Sequence, residues 1–500
     1  MDKPTKPPLA MQPEVFTPGL FESEGSVKLL NGETIPFRSL CQDNVFYDEA
    51  GKAIGTMFTY SYFRSDVKDP ESRPVIFFFN GGPGSGSLWL HVGLFGPWRV
   101  KYDNFDAVNV SSLPPYRVEN NELCLLDIAD LVFIDPVGTG WGRLLDSESG
   151  ERFFTMDNDA DSFNTLIQIW LSKHNRWQSP KYLLGESYGT NRAALLAESL
   201  SGSSQGEFSC VGINGLVLLG NAIGYQTFQS FGAAGAPQND ETLKFDTVEP
   251  ATLMLPSMAA TNWYHNNVEG TLEDFIQKAY DFCAGEYITA LFKGSSLPAD
   301  EREAIAEKVA YFSGLTKEIV LEQDLRPKKW EYLKLVLKDR GLEVGVYDSR
   351  FTLPLNKDYT QENMVRDDAA ISQYTPSFMA AISGHFKKAL NITHERKYYA
   401  ISRDVSREWK RVTKRSCAKS LAASMRRNPE LQVLFSTGVY DIQCQMGQAR
   451  YLANQIGIDL ARVKFSEYPS GHMAYLGEPA AKAFADDVRA MVEGTLFNYT

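Results

Sequence analysis

Lys181-Tyr182-Leu183-Leu184-Gly185-Glu186-Ser187-Tyr188-Gly189 decides how the rest of the chain is read. Tyr182–Leu184 has the character of a short strand that is apolar on both faces. Asn191–Leu200, just downstream, is rich in helix formers. A serine set between such a strand and such a helix rides a sharp turn that lifts its hydroxyl clear of the sheet. Side chains on the flanking residues would collide there, which explains glycine at 185 and 189. Gly-x-Ser-x-Gly alone is frequent by chance; the strand before it and the helix after it give it weight. Ser187 is therefore the candidate nucleophile.

Apolar runs of the same kind, bounded by Gly, Pro or Asn, recur at Val75–Phe79, Leu131–Ile134, Leu216–Leu219, Val433–Phe435 and Val463–Phe465. Helical spacing lies between several of them. Asp157–Trp177 carries Phe163, Leu166, Ile167, Trp170 and Leu171, and Pro479–Leu496 carries Phe484, Val488 and Met491. The alternation predicts an α/β fold with a mostly parallel sheet and right-handed crossovers. Two β-rich runs, Gln42–Asp48 and Ala53–Phe63, come earlier, with a hairpin turn at Glu49-Ala50-Gly51-Lys52. Amphipathic helices predicted at Leu272–Lys293, Pro298–Ser313 and Lys328–Arg340 interrupt the pattern. The expected organisation is a flexible tail over 1–20, a core over 21–225, a mainly helical cap insertion over 226–428, and the rest of the core over 429–500.

A nucleophilic serine needs a base, and six histidines compete: His91, His174, His265, His385, His394 and His472. His472 follows the run Val463–Phe465, in a loop at the C-terminal end of the sheet, where open α/β sheets bind ligands. His174 sits mid-helix beside Lys173 and Arg176 and reads as solvated. His91 precedes the nucleophile, out of the chain order serine, acid, histidine. The acid belongs after the preceding strand, and Leu434-Phe435-Ser436-Thr437-Gly438-Val439-Tyr440-Asp441 supplies Asp441 to orient the imidazole. Asp459 is the alternative. Asn80-Gly81-Gly82-Pro83-Gly84 follows Val75–Phe79. Backbone N–H groups of that turn, Gly82 among them, and the N–H of Tyr188 are the candidate oxyanion donors. A phosphate loop is excluded because Gly81-x-x-x-x-Gly86 is followed by Ser87 rather than Lys.

Bulk composition narrows the function further. The 500 residues hold 50 Lys and Arg against 62 Asp and Glu, a net charge of −12, which argues against nucleic acid as a partner. No window of about 18 apolar residues predicts a membrane span. Met1–Pro8 lacks the apolar stretch of a signal peptide, so a cytoplasmic location is expected unless an export signal was trimmed. Cys41, Cys124, Cys210, Cys283, Cys417 and Cys444 are widely and irregularly spaced. They read as small buried hydrophobes in a reducing compartment rather than disulfides or zinc ligands. The glycosylation-type triplets at Asn109, Asn391 and Asn498 then read as chance. No metal or organic cofactor motif is present, and the oligomeric state expected is monomer or homodimer.

Taken in order, Phe77-Phe78-Phe79-Asn80-Gly81-Gly82-Pro83-Gly84, Leu131-Val132-Phe133-Ile134-Asp135-Pro136-Val137-Gly138-Thr139-Gly140, Gly185-Glu186-Ser187-Tyr188-Gly189, Asp441 and Gly471-His472-Met473 resemble the serine carboxypeptidase family. Trp89-Leu90-His91 and Asn175-Arg176-Trp177 resemble its bacterial-type members. Asp348-Ser349-Arg350-Phe351 also matches, with no physical role evident from sequence. The resemblance implies the α/β-hydrolase fold and removal of C-terminal residues from peptide substrates through an acyl-enzyme. It also implies that Asn80 and Glu186 hold the substrate's free carboxylate. Departures are Phe78 in place of Trp, Leu94 in place of a second, paired Glu, Ser85 in place of Cys, and Trp141-Gly142 after the Gly-x-Gly. An esterase, amidase or acyltransferase on the same scaffold is the alternative. A non-catalytic binding scaffold is a third reading, which an intact triad disfavours.

Overall fold

The structure is a computed structural model that describes residues 16–103, 106–108, 110–202, 210–224, 249–356, 368–410 and 415–497. Residues 1–15 of the expected tail, residues 225–248 at the start of the expected insertion, Asn109 and Asn498 lie outside the described residues.

One large sheet organises the chain. Its main path is β1 (Leu20–Lys28), β2 (Thr34–Tyr47), β3 (Ala53–Arg64), β4 (Val75–Phe79), β5 (Asp130–Asp135), β6 (Lys181–Glu186), β7 (Gly215–Leu219), β8 (Gln432–Gly438) and β9 (Val463–Tyr468). The spatial order is β1-β2-β3-β5-β4-β6-β7-β8-β9, with the short strand Arg143–Leu144 paired to β3. The first three strands pair antiparallel, and β3 joins β5 the same way. From β5 onward every pair is parallel. The hairpin between β2 and β3 turns at Gly51, whose φ of +80° only glycine adopts freely. The apolar runs form the mostly parallel α/β sheet expected of them, in the α/β-hydrolase architecture that the resemblance implies.

Period-2 alternation divides the strands between two cores. Ile76, Phe78, Phe133, Leu184, Val217 and Leu434 face one way, onto Phe484, Val488 and Met491 of helix Glu478–Val492. Phe77, Phe79, Ile134, Leu183, Leu218 and Phe435 face the other way. They meet Phe163, Ile167 and Trp170 of helix Met156–Lys173 and Leu195 and Leu196 of helix Tyr188–Leu200. Burying each such side chain stabilises the fold by roughly 1.5–3 kcal/mol. Continuous apolar runs in the sequence thus reflect helices on both faces of the sheet.

Between β7 and β8 the described residues are mostly helical. Helices Glu249–Asn266, Leu272–Phe282, Ile288–Lys293, Ala299–Ser313 and Lys329–Leu335 enclose a separate cluster around Phe275, Phe282, Tyr287, Phe312 and Tyr332. Later parts of the same insertion pack on the sheet instead. Tyr374, Phe378 and Phe386 join the first core, and Leu421 and Met425 the second. Several boundaries differ from expectation: β2 begins at Thr34 rather than Gln42, and the last helix ends at Val492 rather than Leu496. Pro298 lies one residue before helix Ala299–Ser313, as its N-cap. The helix expected over Asp157–Trp177 stops at Lys173, because Asn175 turns to a φ of +56° and buried Arg176 pairs with Asp130 at 2.5 Å. The helix expected over Lys328–Arg340 breaks after Leu335 and resumes only as a 3-10 turn at Lys338–Arg340. Among the described residues no helix is long and apolar enough to cross a membrane.

Candidate active site

Ser187 stands at the junction of β6 and helix Tyr188–Leu200 with φ +60° and ψ −125°, a conformation that costs a non-glycine residue about 1–3 kcal/mol. Backbone on both sides holds it there. Its N–H donates to Leu219 O at 2.8 Å, and its carbonyl accepts from Thr190 N and Thr190 Oγ1, both at 2.8 Å. A Cβ on Gly185 would lie 2.2 Å from Gly189 O, and one on Gly189 would lie 2.8 Å from Phe79 O. The glycines at 185 and 189 are thus required by backbone crossing backbone.

Strand register brings the remaining groups to the same edge. Phe79 pairs with Gly185, Leu219 with Glu186 and with Ser436, and Gly438 with Tyr468. The loops that leave those strands therefore carry Asn80, Ser187, Asp441 and His472 side by side. His472 Nδ1 is 2.6 Å from Asp441 Oδ2, and both side chains are buried. Asp441 Oδ1 accepts from the N–H groups of Gln443 (2.7 Å) and Cys444 (2.8 Å), so the carboxylate is fully engaged. Burial works against a charged imidazole, yet the Asp441 carboxylate outweighs it and holds the His472 pKa well above its ordinary value. Gly220 passes so close that an added Cβ would sit 3.2 Å from the His472 ring. The Cys444 thiol shares this pocket; ligand atoms of Asp441, Cys444 and His472 lie within 4.8 Å of one another. Burial raises the thiol's pKa, against the pull of His472, so it stays protonated.

On the other side of Ser187 lies the Gly-rich turn. A Cβ on Gly81 would come within 2.4 Å of Tyr188 N, which puts the turn's backbone directly against the residue after the serine. Gly82 and Gly84 adopt φ of +105° and +101°. Buried Arg192 fastens the assembly from below. Its guanidinium donates to Asn80 O at 2.7 Å and pairs with Asp159 at 2.8 Å, and Tyr188 OH also donates to Asp159, at 2.9 Å. From above, Ser402 N donates to Gly84 O (2.7 Å), Ser406 Oγ to Pro83 O (2.9 Å), and Gly86 N to Ala400 O (3.0 Å).

Glu186 is buried next to Ser187. Burial pushes its pKa up to about 7; the His472 charge and hydrogen bonds from Tyr475 and Asn80 pull it back, and Asp441 adds to the rise. Tyr475 OH donates to Glu186 Oε2 at 2.8 Å. Asn80 uses Oδ1 to accept from Leu90 N at 3.2 Å, which leaves its NH₂ for the Glu186 side. Tyr475 was not legible as a site residue, because nothing in Met473-Ala474-Tyr475 separates it from an ordinary core aromatic.

Asp348-Ser349-Arg350-Phe351 acquires a role here. The strand pair Leu342–Val344 and Thr352–Pro354 presents the turn between them to the loops of Asp441 and His472. Ile442 N donates to Val346 O (3.1 Å), Ser349 N to Tyr440 O (3.0 Å), and His472 N to Tyr347 O (2.6 Å). Arg350, buried and paired with Asp348 at 2.6 Å, donates to Pro469 O at 3.1 Å and to Ser470 Oγ at 3.3 Å. Gly471 closes against Asp348; a Cβ there would meet it at 2.4 Å. This segment braces the Asp441 loop against the His472 loop.

The other candidates lie elsewhere. His91 is fully buried in the core, stacked on Phe133 and bonded to Tyr62 OH at 2.7 Å, and burial depresses its pKa. His174 is half-buried against Phe63 and Trp170 rather than solvated, because its helix ends at that point. Asp459 caps a surface turn and pairs with Arg462 at 3.2 Å. All six cysteines are free, five of them buried and Cys210 exposed.

Comparison with known proteins agrees with this geometry. The family model described as "Serine carboxypeptidase" matches residues 47–472. Serine carboxypeptidase-like 9 of Arabidopsis thaliana is 29% identical over 37% of this chain, and serine carboxypeptidase-like 8 of the same plant is 26% identical over the same share. The chain spans 40% of the length of each. These relatives are plant proteins, so the bacterial-type resemblance finds no support among them. The crystal structure of a prohormone-processing carboxypeptidase from Saccharomyces cerevisiae superposes with a TM-score of 0.55 at 13% identity. It covers 91% of both chains and supports the fold alone. The kinship corrects the cytoplasmic expectation: the matching family is one of secreted and lumenal enzymes. With the family model matched from Tyr47, the last residue of β2, to His472, this chain belongs to the serine carboxypeptidase family.

Proposed function

We propose that the chain is a serine-type carboxypeptidase that releases C-terminal residues from peptides through an acyl-enzyme on Ser187. In this reading His472 is the general base and Asp441 orients it, while the N–H groups of Gly82 and Tyr188 hold the oxyanion. Asn80 and Glu186 receive the free carboxylate of the substrate. The insertion over 226–428 is the cap that shapes the side-chain pockets.

The observation that carries the reading is the buried Glu186 adjoining the nucleophile, with Asn80 and Tyr475 around it. A carboxylate ligand meets a neutral carboxyl group favourably and an ionised one unfavourably. The test has two stages. A fluorophosphonate probe should label the wild type and spare Ser187→Ala; equal labelling of both sinks the hydrolase claim. A blocked dipeptide with a free C-terminus is then compared with its C-terminal amide and with a nitrophenyl ester. Preference for the free acid below about pH 7 supports the carboxypeptidase, whereas turnover of the ester alone favours an esterase or acyltransferase.

A further inference from the structure

We propose that Tyr475 is the positioning residue that readies Glu186 for a substrate carboxylate, in the role that a second carboxylic acid would otherwise fill. The proposal rests on the carboxypeptidase reading above. Two carboxyl groups can share one proton and so present a donor to an anionic ligand. Here Leu94 is apolar where a partner Glu is expected, and the phenol of Tyr475 donates to Glu186 Oε2 at 2.8 Å instead. The ring occupies space beside that same segment: it packs on Gly93, where an added Cβ would meet Tyr475 Cε2 at 2.6 Å.

The geometry assigns the proton. Oε2 accepts the phenol's hydrogen bond, which favours Oε1 for a proton taken up by Glu186. A protonated Oε1 donates to an incoming carboxylate, and the Asn80 amide supplies a second donor beside it. Burial and the neighbouring Glu186 raise the phenol's own pKa well above its ordinary value, so Tyr475 remains a donor throughout the working range. The groups facing Glu186 are His472 and Asp441 from the acid–base pair, Asn80 from the Gly-rich turn, Tyr475, and Tyr374 from helix Ala369–Ala380. Of these, Tyr475 and Asn80 hydrogen-bond the Glu186 carboxyl group.

The test is the pH profile of Tyr475→Phe, which keeps the ring on Gly93 and removes the donor. kcat/KM is measured for a blocked dipeptide with a free C-terminus and divided by that for an ester of the same acyl group without a carboxylate. The division cancels the titration of His472. In the wild type the ratio should fall as pH rises through about 7, the Glu186 value. Loss of a donor that favours the ionised form raises the Glu186 pKa, so in Tyr475→Phe the fall should move upward by about one pH unit. A purely structural role would lower both substrates' rates and leave the midpoint where it was. If Tyr475→Phe does not react with fluorophosphonate, Gly93→Ala takes its place, because it displaces the ring without touching Glu186, and the same upward shift is expected. An unmoved midpoint in a labelled variant overturns the role of Tyr475. A wild-type ratio that is flat with pH instead overturns the carboxylate-binding role of Glu186 itself.

Discussion

Replacing Arg350 with Met probes the brace between the acid and base loops. Both charged side chains of the pair are almost wholly buried, with exposures of 4% for Arg350 and 2% for Asp348. Removing the guanidinium strands the Asp348 carboxylate, which keeps one weak backbone donor, its own turn's Arg350 N at 3.1 Å. Breaking a buried ion pair from one side costs about 3–5 kcal/mol. Pro469 O and Ser470 Oγ lose a donor as well, so the loss belongs at the upper part of that range. The double variant Asp348→Asn/Arg350→Met removes both charges and should recover about 1–3 kcal/mol relative to the sum of the single changes. Urea unfolding followed by tryptophan fluorescence reads the stability. The second readout is the rate at which fluorophosphonate acylates Ser187. A shift of His472 by about 1 Å should slow that rate on the order of 100-fold. If Arg350→Met loses less than about 1 kcal/mol and acylates at the wild-type rate, the segment is not a brace.

Gly185→Ala should fail to fold to an active form, with a loss of about 3 kcal/mol or more in urea unfolding, since the new Cβ meets immovable backbone at Gly189 O. In Glu186→Gln the peptide-to-ester ratio should become independent of pH. In the wild type Glu186 is neutral below about 7 and ionised above it, so the ratio should fall about tenfold per unit on the alkaline side. Arg192→Lys should cost about 1.5–3 kcal/mol and slow acylation of Ser187, because a lysine cannot hold both Asp159 oxygens and Asn80 O together. Stability at the wild-type level in that variant counts against Arg192 as the fastening beneath the Gly-rich turn.

What sequence reveals here follows the physics of each element. Val75–Phe79 was legible as a strand to the residue, because all five side chains are buried and the run stands out against its neighbours. Lys181–Glu186 and Val463–Tyr468 run further than their apolar cores, since β pairing continues through polar residues that the pattern ignores. β1 was missed outright: its residues alternate exposed and half-buried at the sheet edge and leave a faint hydrophobic signal. Ser187, Asp441 and His472 were placed by chain order against strand ends, and the structure brings them to one edge. Tyr475, and the role of Arg350, were beyond reach because their partners, Glu186 and the carbonyl at Pro469, are set by tertiary packing. The compartment was misjudged because it was read from terminal residues rather than from kinship.

Asp441 and His472 arrive in the loops after the last two strands, yet the groups that tie those loops together arrive much earlier, on the turn between Leu342–Val344 and Thr352–Pro354. Any replacement for the insertion has to carry this turn unchanged, as a plug that fits the core's socket. Chimeras that swap the insertion between relatives will work only when the cut points lie inside that boundary, so that Val346–Arg350 travels with the loops of Asp441 and His472.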